Sequence, residues 1–166
     1  MFWKKNKTEG SILVTRGRQE DTEAIHKEFH LATDLLLRYI HDKYGEKDVI
    51  AYLRSFAREY HGPMSFELSR GNLNVLVDYF EDIYGKEGGR IEMEFNARRL
   101  VLTIPLCPGV EYLDSIGKTP SEMHRHTYEV VFEAICEGTG VEYVLDRYNP
   151  ETGGGIHIFT LKEVAS

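Results

Sequence analysis

Cys107 stands at the end of an alternating apolar segment, directly before Pro108-Gly109, and His124 and His126 follow in the next helix-like stretch. A thiol within reach of an imidazole can act as a nucleophile, because the ring takes the thiol proton as the sulfur attacks. Cysteine and histidine are also soft metal ligands, so Cys107 with His124 or His126, joined by His157 further along the chain, could hold zinc. A lone cysteine is equally a small hydrophobe. All three readings stay open, and the residue types alone weigh most toward the third. No tight CxxC or HxxxH pair with fitting partners supports a metal. Three further side chains are candidate substrate-binding groups: Arg147, near a strand end, where it could pair with a carboxylate; His157; and Glu129, one turn after His126.

These residues need a helix to present them. Thr119-Pro120 followed by Glu122 reads as an N-cap, a proline at the first helical position and a capping box. The helix then runs to about Cys136. His124 projects near the face of Thr127, Val131 and Ile135, and His126 nearer Glu129 and Glu133, so the two rings diverge unless the first turn is irregular. The free N–H groups of that helix start favour a carboxylate ligand and a neutral imidazole acting as base. Cys136, amid Ala134 and Ile135, reads as core.

The remaining elements follow from period. A helix runs from about Asp21, as N-cap, to Tyr44, with an apolar stripe of Ile25, Phe29, Ala32, Leu36 and Ile40. His26, His30, Asp34 and His41 occupy the opposite side. His26 and His30 have chelating spacing, but that side reads as a solvated face, and His-Lys-Glu-Phe-His is not the zinc-protease motif. A second helix covers about Lys47 to Tyr60, with His61 as a helix-terminal residue. A third covers about Met64 to Tyr84, with a break at Arg70-Gly71-Asn72. Tyr39 to Gly45 repeats as Tyr79 to Gly85, which reads as capping chemistry used twice, with glycine at the left-handed position.

After Gly89 the period changes to two. Ile91 to Phe95 and Leu100 to Ile104 read as a hairpin with a turn at 96–98, then a short helix over 111–116. Val141 to Tyr148 and Gly155 to Leu161 read as a second hairpin. Gly153-Gly154-Gly155 suggests a hairpin or bulge and lacks the strand–loop–helix context of a phosphate loop. Residues 1–18 read as an arm or short edge strand and 19–166 as one domain. The expectation is an α+β fold of about three N-terminal helices packed on an antiparallel sheet of about four strands, in hairpin–helix–hairpin order.

Composition narrows the partners. The chain has 166 residues and a formal charge of −7, which argues against nucleic acid. The one basic cluster, Lys4-Lys5-Asn6-Lys7, reads as a frayed tail. No apolar run approaches a membrane helix, and Met1 to Lys5 is not followed by the apolar run of a signal peptide. Two cysteines suit a reducing cytoplasm. Ten tyrosines are compatible with a core or with a homodimer interface.

Several of these motifs together resemble a known family. They are Cys-Pro at 107–108, a polar helix start at 124–126, Glu-Gly-Thr-Gly at 137–140, and Gly-Gly-Gly-Ile-His-Ile-Phe at 153–159. Upstream lie a Tyr-Gly helix end and Glu-Gly-Gly with Glu92 and Glu94. The set is similar to the L-2-amino-thiazoline-4-carboxylic acid hydrolase family over about residues 25–160, and in layout to 4-vinyl reductase-type small-molecule-binding domains. The resemblance implies a helical half and a sheet half enclosing a pocket, and ring-opening hydrolysis of a thiazoline carboxylate to an S-carbamoyl or related cysteine derivative. Members often carry further cysteines where this chain has His124 or His126, and Gly155; only Cys107 is retained. The resulting expectation is a hydrolase acting on a small carboxylate-bearing heterocycle or an amide-like C–N bond. In it Cys107 is nucleophile or anchor, His124 the base with His126 as substitute, and no cofactor is needed unless zinc binds. The alternative is a non-enzymatic small-molecule or metal-binding sensor domain.

Overall fold

A computed structural model describes residues 8–14 and 23–162, with side chains described from residue 27 onward in the first helix. The basic tail at Lys4 to Lys7, the Asp21 cap and the His26 side chain lie outside those residues. The described elements are β1 (Gly10–Val14), α1 (Glu23–Tyr44), α2 (Glu46–Tyr60), α3 (Gly62–Ser69), α4 (Asn74–Glu87), β2 (Ile91–Phe95), β3 (Arg99–Ile104), α5 (Pro108–Ser115), α6 (His126–Cys136), β4 (Val141–Asn149) and β5 (Gly154–Leu161). A single 3₁₀ turn, Glu122–Arg125, leads into α6.

The strands form one antiparallel sheet in the order β1-β2-β3-β5-β4. The α+β class and the two hairpins match the sequence reading, but among the described residues there are five strands rather than about four and four helices before β2 rather than about three. The fifth strand is β1, which pairs along the β2 edge with Ile12 opposite Met93. This short segment has little periodicity of its own, and over residues 10–14 it takes the edge-strand alternative read from the sequence. The extra helix comes from the predicted break: α3 stops at Ser69 and α4 begins at Asn74.

Alternation buries one face of β2 and β3. Ile91, Met93, Leu100, Leu102 and Ile104 are essentially inaccessible and meet Phe159 of β5 and Phe80 of α4 in one core. Helix α2 buries Val49, Leu53 and Ala57, one turn apart, and packs against α6. Ser65 Oγ of α3 donates to the Ile135 carbonyl at 2.8 Å, tying α3 to the same helix. No described helix is long and apolar enough to cross a membrane.

Three local expectations need correction. The cap of the site helix is Ser121, not Thr119: its hydroxyl accepts from Met123 N at 3.1 Å, and the Thr119 carbonyl instead accepts from the Arg38 guanidinium. In the Tyr-Gly repeat, Gly45 does take a positive φ of 96°, but Gly85 is inside α4, which continues to Glu87 and is capped by left-handed Gly88. The third correction concerns α1. Most of its predicted apolar stripe faces outward, with Phe29 58% and Leu36 38% exposed and Ala32 also exposed, while Ile40 packs on the core and the Ile25 side chain lies outside the described residues. The side with His30, Asp34, Leu37 and His41 faces the protein instead. The polar groups there face charged side chains from elsewhere in the chain: His30 Nε2 lies 3.5 Å from Glu87, a charge contact without a hydrogen bond, and His41 lies 3.2 Å from Glu122. Asp34, 5% exposed, accepts from Ser121 N at 2.5 Å and from Arg38 Nε at 2.8 Å. Satisfied polar groups are as buriable as apolar ones, so apolar spacing alone misassigned the face.

Candidate functional site

Strand β3 ends at Ile104, and Cys107 takes the N-cap position of α5 with Pro108 at its first helical residue. The 3₁₀ turn capped by Ser121 lowers His124 onto it. Cys107 Sγ and His124 Nε2 are 3.6 Å apart, and the other ring nitrogen, Nδ1, is 2.8 Å from the Tyr148 hydroxyl on β4. Sulfur, imidazole and phenol therefore form a chain. With a proton on Nδ1, the ring donates to Tyr148 and turns a free lone pair on Nε2 toward the thiol. Cys107 is 5% exposed. Burial holds His124 neutral by lowering its pKa from 6.5 to about 4, partly opposed by Asp34, and desolvation raises Tyr148 to about 12. The resting groups are a neutral base and an un-ionised phenol.

The thiol has a second polar neighbour. The Tyr128 hydroxyl, from α6, neighbours the Cys107 side chain and lies 3.3 Å from the Tyr84 hydroxyl of α4. Burial raises both phenols far above their usual range, so they stay protonated donors. His30 completes the surroundings: its electrostatic neighbours are Glu87, Cys107 and His124. Burial opposes a charge on His30, yet the Glu87 carboxylate outweighs it and the pKa is raised.

Glycines close the walls. A β-carbon on Gly109 would sit 2.7 Å from His30 Nδ1, and one on Gly89 2.7 Å from both Tyr84 and Pro108. At Gly153, where φ is +61°, it would meet Val110 Cγ2 at 2.5 Å and Cys107 Cβ and His124 Cε1 each at 3.0 Å. The Cys107 N–H donates to the Thr152 carbonyl at 2.9 Å, so the 150–153 turn is strapped across the thiol. The turn of the predicted hairpin thus also covers the site. A β-bulge between Leu145 and Tyr148 breaks the β4–β5 register and re-aims β4 just where Tyr148 must reach His124.

The other candidates lie elsewhere. His126 Nε2 is 2.9 Å from Glu46 on α2, so the two α6-start histidines diverge even though the first turn is irregular. Glu129 is held by Arg125 through two 2.9 Å contacts. Arg147 is 83% exposed and 3.8 Å from Asp146, out of the enclosure. His157 is fully buried on β5, with Nδ1 2.9 Å from Tyr143 OH and its ring 4.9 Å from that of Tyr128. It borders the cluster through packing. Cys107, His124 and His126 do not converge on a point, and no group of three or more potential ligands among the described residues is arranged to hold a metal. His61 is buried among Phe56, Tyr60 and Tyr79. Cys136 lies in the core, where burial lifts its thiol to about 12. A surface cleft of about 430 Å³ beside Arg54, Glu137 and Lys162 shares no lining residue with the Cys107 cluster.

Sequence reasoning missed Tyr84, Tyr128, Tyr148, His30 and Glu87. Only His30 carried a signal: residues 30, 34, 37 and 41 recur at helical spacing, a stripe as regular as the apolar one opposite it. Comparison with family models, with curated proteins and with solved structures finds no match to this chain.

Proposed function

We propose that the chain is a thiol-dependent hydrolase of a small molecule, opening a carboxylate-bearing heterocycle of the thiazoline type or cleaving an amide-like C–N bond. The observation that carries this reading is the Cys107–His124–Tyr148 chain, in which nucleophile, base and orienting group stand in hydrogen-bonded order. In this reading His124 Nε2 takes the thiol proton as Cys107 Sγ attacks the electrophilic carbon. Tyr148 accepts from Nδ1–H and keeps the ring in the required tautomer. The Tyr128 hydroxyl and the first-turn amides of α5, which have no partner within their own helix, stabilise negative charge as it forms on sulfur and on the substrate. The proton held by His124 then passes to the departing nitrogen, and water releases the product from Cys107 with His124 again as base. The motif resemblance to thiazoline-carboxylate hydrolases supplies the substrate class. Arg147 stands too far out to hold the carboxylate, so His30, beside Glu87, Cys107 and His124, takes that role.

The near-complete burial of Cys107 favours a second reading, a ligand-holding domain without turnover, similar in layout to the 4-vinyl reductase type. One pair of measurements separates the two. Cys107→Ala abolishes release of the cysteine derivative from 2-amino-thiazoline-4-carboxylate and leaves the melting temperature within a few degrees if the chain is a thiol hydrolase. Undiminished turnover in that variant refutes the hydrolase assignment. A native mass spectrum of the purified chain carrying a stoichiometric organic ligand, with no turnover in the wild type, selects the binding domain.

A further inference from the structure

The outward stripe of α1 lies opposite its protein-facing side. Phe29, Leu35, Leu36 and Tyr39 are exposed by 58%, 52%, 38% and 54%, and exposed Ala32 lies among them. At 100° per residue these five share one face with Glu28, Asp42 and Lys43, and that face points away from buried Asp34 and Leu37. The apolar part extends about 15 Å along the helix. A contiguous apolar stripe rimmed by charges on an otherwise acidic protein marks a contact surface.

We infer that this face is a homodimer interface, in which α1 of one copy packs antiparallel on α1 of another across a two-fold axis near Leu35 and Leu36. The pattern is self-complementary only in that direction. With Leu35 of one copy against Leu36 of the other, small Ala32 falls opposite large Tyr39, and Glu28 falls opposite Lys43. Glu28 lies at one end of the stripe and Lys43, beside Asp42, at the other, so the Glu28–Lys43 pair forms twice, while Asp42 falls opposite Phe29. A parallel pairing would set Glu28 against Glu28 and Lys43 against Lys43, with Tyr39 facing Tyr39 and Ala32 facing Ala32. Antiparallel helices also place their dipoles head to tail, and an isologous contact closes at two copies. Lys43, which now lies over the Tyr39 and Tyr44 rings at 5.3 and 5.2 Å, is within a side chain's reach of that partner. The inference is independent of the hydrolase reading. It does set α1, whose inner face carries His30 and Asp34, between the partner and the Cys107 cluster.

Sedimentation velocity on the full chain tests it. The wild type is expected to sediment at twice the 19.1 kDa chain mass at micromolar concentration, and Leu36→Glu as a folded monomer with the wild-type circular dichroism spectrum, its melting temperature lowered only by the loss of association. Glu28→Lys and Lys43→Glu each raise the dissociation constant roughly tenfold or more, and the double exchange restores wild-type affinity. A wild type that stays monomeric at about 100 µM, well above the micromolar range of weak complexes, overturns the inference, as does a dimer indifferent to Leu36→Glu. Charge reversals that fail to compensate overturn the antiparallel register.

Discussion

Gly153→Ala probes the closure of the thiol site directly. The residue has a φ of +61°, and an added β-carbon would press on Val110 Cγ2 at 2.5 Å, Cys107 Cβ at 3.0 Å and His124 Cε1 at 3.0 Å. A left-handed conformation costs a residue with a β-carbon about 1 kcal/mol. Forcing one extra carbon into close packing costs a further ~1–3 kcal/mol. None of the three contacts is the free end of a long side chain, so relaxation is limited and the total should be about 3 kcal/mol. For a domain of this size that lowers the melting temperature by roughly 10 °C. Gly138→Ala is the matched control: φ is +74°, yet nothing lies within 4 Å of the added carbon, so only the conformational part of about 1 kcal/mol remains. Urea or thermal melts of the two variants give the packing contribution as their difference. Equal losses would mean that the 150–153 turn is not seated on Cys107 and His124, and the enclosure described above would fall with it.

Asp34→Ala removes the acceptor of the buried Ser121 N–H and of Arg38. It should cost about 2–3 kcal/mol in a urea melt, because a desolvated donor is left unpaired; a loss under 0.5 kcal/mol, the size of an ordinary surface change, would contradict the buried contact. Stability should also fall with acidity. Burial lowers the pKa of both His124 and His157 from 6.5 to about 4. Between those values the unfolded chain binds protons that the folded chain refuses, so this stability is complete above pH 6.5 and is lost as pH drops toward 4, at about 1.4 kcal/mol per unit for each ring. His30, whose pKa is raised, acts in the opposite sense and loses its smaller contribution as pH rises past 6.5. Melting temperatures between pH 4.5 and 7 should therefore slope upward, and more shallowly in His157→Gln; a flat wild-type profile would show that the rings are not held neutral.

The legible parts were those in which local period and burial coincide. Ile91 to Phe95 and Leu100 to Ile104 alternate because one sheet face meets helices, and the pattern announces itself before any partner is known. Cys107 stands out by its place between a strand end and Pro-Gly, and His124 by its place at a helix start. Their 3.6 Å approach follows from the Ser121 cap and the 3₁₀ turn, a shift of cap position that Thr119-Pro120 concealed. The tyrosines around the thiol come from α4, α6 and β4, elements that share no local pattern. Their convergence is a property of the packed sheet and helices.

Helix α1 shows the division most sharply. Its sequence determines a helix with two regular stripes, one apolar and one of histidine and aspartate. Hydrophobicity ranks the first as the inner face. The folded chain turns the second inward, because Glu87, Ser121 and Glu122 meet those polar groups from distant parts of the chain. A buried hydrogen bond depends on both of its ends, and the partner's position is written only in the tertiary structure.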